Sequence, residues 1–132
     1  MQLTKKHEKG ISIISVNGTV DALSSYALEN DLLGLMSSGK LFIVIDVSEM
    51  DYITSAGLRS LLVAAKMVNL KKGFMGLCGL NDDVKKIFGM VNLESILNIY
   101  EDMASALSAA AAALSLKPAE DEISWPGDKL IK

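Results

Sequence analysis

The sequence predicts an α/β fold: a mixed, mostly parallel sheet of about five strands packed with about four helices. Three observations carry this. Strand-like and helix-like segments alternate along most of the chain. The run Leu41-Phe-Ile-Val-Ile45 is apolar without alternation, which suits a strand covered on both faces. Gly10 splits two leading strand segments as a hairpin turn would.

The elements follow in order. Residues 2–7 and 11–17 form the hairpin, the second strand being Ile11-Ser-Ile-Ile-Ser-Val-Asn17, and Asn17-Gly18 marks a turn. A helix from about Ser24 to Ser38 puts Leu28, Leu32, Leu35 and Met36 on one face, with Ser24 or Ser25 as cap and Gly39 as stop. The strand 41–45 leads to a second helix from about Gly57 to Lys72, where Leu58, Leu61, Leu62, Ala65 and Val68 recur at helical spacing. Lys71 and Lys72 suit its C-terminal dipole and Gly73 its stop. Strand 74–78, a short helix 82–90, a short strand 96–99 and a last helix 103–114 capped by Asp102 complete the order β-β-α-β-α-β-α-β-α. The alanine run 109–113 forms helix readily but buries little area, so that helix reads as poorly anchored.

Two units are expected: one domain over 1–116, and an acidic tail over 117–132 that starts at Lys117-Pro118. The tail's composition reads as mobile, with docking of Trp125 on its own domain or on a partner as the alternative.

Composition excludes several function classes. The chain has 132 residues, which suits one modest core; with half of them apolar and only 5% aromatic, aliphatic residues must supply the packing. The formal charge is −3 and the basic residues are dispersed, which speaks against nucleic-acid binding. A single cysteine, Cys78, sits in an apolar run and reads as a buried small hydrophobe in a reducing compartment. No apolar run approaches the roughly 20 residues a membrane span needs, and no signal-peptide core opens the chain, so a cytoplasmic protein with no membrane insertion is expected.

Catalytic constellations are sparse. His7 is the only histidine and reads as a solvated strand or turn residue. There is no Walker A loop, no GxGxxG, no Cys/His ligand spacing and no GxSxG. Asp46, Glu49 and Asp51 lack the ligand spacing of a calcium loop, and neither metal nor cofactor is expected. The segment before the second helix is different. Thr54 and Ser55 stand where free N–H groups and the helix dipole favour an anion. A phosphate on Ser55 would be held there and would add roughly 1.5 to 2 negative charges. From the residues alone, the reading of Ser55 as a plain helix cap comes first.

The chain resembles the STAS-domain family, and within it the single-domain anti-sigma factor antagonists. The resemblance covers about residues 2–114. It rests on Gly18-Thr-Val-Asp21, Ile45-Asp-Val-Ser48, Met50-Asp-Tyr-Ile-Thr-Ser-Ala-Gly-Leu58, Asn81-Asp-Asp-Val-Lys-Lys-Ile-Phe88 and Val91-Asn-Leu93. It implies no enzyme but a partner-switching protein. Its partner would be an anti-sigma factor that is a serine kinase with a histidine-kinase-like ATPase fold; a PP2C-type serine phosphatase would reverse the modification. The resemblance puts the phosphorylated serine at Ser55, which reverses the order of the two readings. Asp21 and Asp46 map to acidic positions that shape the site, and Ser48, Met50, Ala56, Gly57 and Leu58 to positions that frame it. Family antagonists often carry Asp before the phosphorylated serine; here it is Thr54, a second hydroxyl and an alternative acceptor. The turn Thr54–Leu58 and the start of the second helix are expected at the surface. Two other roles of the family stay open: an accessory subunit of a membrane lipid-transport ATPase, and a scaffold in a signalling assembly.

Overall fold

The computed structural model describes residues 1–90 and 97–116. Three expectations lie outside these residues: the start of the last strand at Ile96, the match at Val91-Asn-Leu93, and the tail.

A five-stranded sheet in the order β1-β2-β3-β4-β5 forms the centre. It comprises β1 (Gln2–Glu8), β2 (Ile11–Val20), β3 (Phe42–Ile53), β4 (Phe74–Cys78) and β5 (Asn98–Tyr100). β1 pairs antiparallel with β2, and every later pairing is parallel. The crossovers are α1 (Ala22–Ser37), α2 (Ser55–Leu70) and α3 (Asp82–Met90), and α4 (Met103–Ser115) follows β5. The expected class and element order therefore hold.

The two faces of the sheet are covered differently. Ile43, Ile45 and Val47 of β3 face a large core completed by Leu28 and Leu32 of α1, Leu61 and Val68 of α2, and Val84 and Phe88 of α3. The opposite face carries Ile11, Ile13, Phe42, Val44, Phe74 and Cys78 under Ala106 and Ala110 of α4. Both alanines are fully buried, so the last helix is anchored, contrary to expectation. Small side chains let it approach the strands closely and bury its own backbone surface.

Several boundaries move. β2 does not stop at Asn17-Gly18: it continues to Val20, with register shifts around Ser15/Asn17 and Gly18/Thr19. Gly18 has φ +89°, so the glycine serves an irregularity within the strand and not a turn. β3 runs eight residues past Ile45, because the lengthened β2 supplies partners for it, ending in Thr19 with Tyr52 and Val20 with Ile53. α1 begins at Ala22 under Asp21 and not under Ser24 or Ser25. α2 ends at Leu70 with Lys71 as its C-cap, and Lys72 takes the left-handed region (φ 63°) where Gly73 was expected to stop the helix. Gly73 instead lies against Leu41, where a Cβ would collide.

Candidate functional site

The long β3 sets the site at the C-terminal end of the parallel strands. The chain leaves Ile53, turns at Thr54 in extended backbone, and enters α2 at Ser55. Thr54 is the helix cap, so the reading of Ser55 as cap is corrected: Ser55 is the first helical residue. The Thr54 hydroxyl donates to the Val20 carbonyl at 3.1 Å and accepts from the Gly57 N–H at 3.4 Å. Its own N–H donates to the same Val20 carbonyl at 2.9 Å, and its carbonyl accepts the Leu58 N–H at 3.0 Å. Both hydrogen-bonding roles of the Thr54 hydroxyl are thus filled.

Ser55 is exposed, and among the described residues nothing bonds its hydroxyl. Its N–H and that of Ala56 precede the first intrahelical bond and point out of the helix mouth. Ala56 is half-buried, whereas Gly57 and Leu58 are buried. The Thr54–Leu58 turn is therefore exposed only in part: Ser55 is open, Thr54 and Ala56 are half-buried, and Gly57 and Leu58 are buried. A Cβ on Gly57 would come within 2.6 Å of Ile53 Cγ1 and 2.8 Å of Val20 Cγ1. Only glycine lets α2 settle onto the ends of β2 and β3.

Val20 joins this mouth to a second one, because the next residue, Asp21, caps α1. The Asp21 carboxylate accepts the N–H groups of Leu23 (3.1 Å) and Ser24 (2.8 Å) and the Ser24 hydroxyl. The Ser24 hydroxyl also accepts the Asp21 N–H at 2.9 Å, closing a capping box. The backbone bond from Ser24 is the largest cause holding the Asp21 carboxyl below its ordinary value. Further along, Ser60 of α2 is buried and shares its one proton between the Ser25 carbonyl (3.2 Å) and a Glu29 carboxylate oxygen (3.0 Å). This polar seam fixes α1 against α2.

The expected site residues separate into three groups. Asp21, Thr54, Ser55, Ala56 and Gly57 gather at the paired helix mouths. Met50 and Leu58 lie beneath in the core, and the Met50 carbonyl accepts an Asn81 side-chain N–H at 3.0 Å. Asp46 is elsewhere: it pairs with Ser15 and Cys78 and lines a groove with Met103 and Leu107 of α4, on the face of the sheet opposite α2. One Asp46 oxygen accepts the Ser48 N–H at 3.0 Å. Ser48 is exposed and sits against Gly79, where a Cβ would fall 2.9 Å from that of Ser48.

Sequence reasoning missed the exposed apolar side chains that neighbour the two helix mouths along the chain. Leu23 and Tyr26 of α1 and Tyr52 of β3 are 80%, 69% and 50% exposed. The signal was available in part, since Leu23 and Tyr26 fall outside the stripe of buried leucines. Among the described residues no three His, Cys, Asp or Glu side chains converge to hold a metal ion, and no helix is long and apolar enough to cross a membrane.

The order of strands and helices that builds these two helix mouths is that of the STAS domain. The family profile matches residues 2–106, and the chain belongs to that family. Among individual proteins, it is 32% identical over 114 residues to anti-sigma factor antagonist BtrV of Bordetella bronchiseptica, covering 86% of this chain and 98% of that one. The fold superposes on an anti-sigma factor antagonist from Thermotoga maritima with TM-score 0.79 at 19% identity, over 83% of this chain and 94% of that one. It also superposes on the Bacillus cell fate determinant SpoIIAA in its phosphorylated form, with TM-score 0.65 at 13% identity, over 82% and 98% of the two chains.

Proposed function

We propose that this chain is an anti-sigma factor antagonist whose binding to a serine-kinase anti-sigma factor is switched by phosphate on Ser55. One observation carries the choice of residue: Ser55 offers an exposed, unengaged hydroxyl, while its neighbour Thr54 has both hydrogen-bonding roles filled. The family membership and the relatives named as antagonists support the wider reading.

The chain acts as substrate. The Ser55 oxygen attacks the γ-phosphorus of ATP, the bond to the bridging oxygen breaks, ADP leaves, and the serine proton passes to a base on the kinase. The new phosphate meets the outward N–H groups of Ser55 and Ala56 and the positive end of α2, so the domain tolerates it without unfolding. A partner that covers the mouth and the exposed Leu23, Tyr26 and Tyr52 then meets a charged phosphate where a hydroxyl was. Covering that group costs its desolvation, and acidic partner groups facing it are repelled. A PP2C-type phosphatase restores the hydroxyl and with it the binding surface.

Incubation with ATP and the cognate kinase, followed by mass spectrometry of the modified peptide, tests the assignment. Phosphate is expected on Ser55, none on Thr54, and none in Ser55→Ala. Phosphate on Thr54, or an unmodified chain beside an active kinase, would overturn it.

A further inference from the structure

α4 covers the far side of the sheet only in part. It lies mainly over β3, β4 and β5 and only touches β2, and a groove remains between it and the β1–β2 hairpin. Two adjoining cavities of about 350 and 240 Å³ make up this groove. Its walls include Ile13, Met103 and Leu107 at one end, and Ile11 with Leu107 again at the other. Lys6 and Lys9 stand on the rim, with Glu8 between them.

The chain itself leads to this groove. α4 ends beside the hairpin turn, where a Cβ on Gly10 would come within 2.9 Å of Leu114 Cδ2. From Leu116 the sequence continues as Lys117-Pro-Ala-Glu-Asp-Glu-Ile-Ser-Trp-Pro126, an acidic triplet followed by two large apolar residues. Returning from the helix end to the level of Leu107 means retracing about 14 Å of helix. The nine residues from Lys117 to Trp125 can span up to roughly 30 Å.

We propose that this segment folds back along α4, with Glu120–Glu122 over Lys6 and Lys9 and with Ile123 and Trp125 in the groove. The tail would then lie in the groove between α4 and the hairpin, leaving the Ser55 mouth, on the other face, free. The occupant is the chain's own tail for three reasons: it emerges at the groove's end, it has the reach, and its charge complements the two lysines.

Trp125 is the only tryptophan, so its fluorescence in the full chain reads the contact directly. A blue-shifted emission maximum, protection from acrylamide and independence from protein concentration are expected. Lys6→Glu with Lys9→Glu should lower the docked-to-free ratio by roughly threefold to tenfold, the scale of two exposed ion pairs, and move the emission to the red. Adding Glu120→Lys, Asp121→Lys and Glu122→Lys to those two should restore it. Solvent-like emission from the unaltered chain overturns the proposal with no variant needed. A buried signal that rises with concentration overturns it in favour of a second copy. A buried signal indifferent to charge reversal, in variants whose circular dichroism shows them folded, also overturns it.

Discussion

At the scale of single residues, the site depends on Thr54, Gly57 and Asp21, and each role has its own test. Thr54→Val keeps the shape of the side chain but removes the cap and the bond to Val20. It should cost about 1 kcal/mol in chemical denaturation. A loss within error of zero would mean that the cap contributes nothing. Gly57→Ala drives a methyl into Ile53 and Val20, both buried, so a loss of about 1–3 kcal/mol is expected. Asp21 and Asp102 both cap helices, and the backbone bonds from Ser24 and Ser105 respectively lead in holding their carboxyls below the ordinary value. A carboxyl depressed in the folded state stabilises above its unfolded pKa and loses that contribution as pH falls through the folded value. The denaturation midpoint should therefore fall on acidification below about pH 4, and Asp21→Asn with Asp102→Asn should flatten that limb. An unchanged acid limb in the double variant would contradict the assignment. Sequence reading named Ser55 and Gly57 as site residues but did not give the cap to Thr54. Which of two adjacent hydroxyls caps and which stays free depends on the carbonyl of Val20, 34 residues away.

At the scale of elements, the helices were legible from their stripes. Leu28, Leu32, Leu35 and Met36 recur at helical spacing and are buried as a set. The strand ends were not legible. β3 continues through Asp46, Ser48, Glu49 and Asp51, polar residues that break the apolar run, because β2 lies alongside and satisfies the backbone. A strand extended by its neighbour leaves no local signal. Nor can sequence alone say that Asp46 turns toward α4: residues of one strand alternate between faces, and the register shifts in β2 cannot be read from composition. α4 was underrated because alanine counts for little in area and for much in closeness of approach. Ala110→Leu should accordingly destabilise by about 1–3 kcal/mol in a thermal or urea melt. A neutral or stabilising result would show that α4 is as loosely held as its composition suggests.

At the scale of the whole molecule, the sheet separates two functions of packing. One face, under α1, α2 and α3, carries the two helix mouths on the larger core, and the other packs the second core under α4. Cys78 lies on the α4 side, and burial, with added repulsion from Asp46 and Asp102, pushes its thiol up to about 11. At neutral pH a thiol reagent should leave the folded chain unlabelled and react only on unfolding; rapid stoichiometric labelling of the native protein would contradict this packing. In the proposed reading, a phosphate at the mouth of α2 switches binding and not folding, because the free N–H groups and the helix dipole accommodate it. The most direct test is calorimetric titration of the cognate kinase anti-sigma factor with the chain before and after phosphorylation at Ser55, the melting temperature being followed in parallel. Affinity should fall by at least roughly tenfold, equivalent to about 1.4 kcal/mol, with the melt nearly unchanged and Ser55→Ala binding as the unmodified chain does. Equal affinity of the two forms would contradict the account.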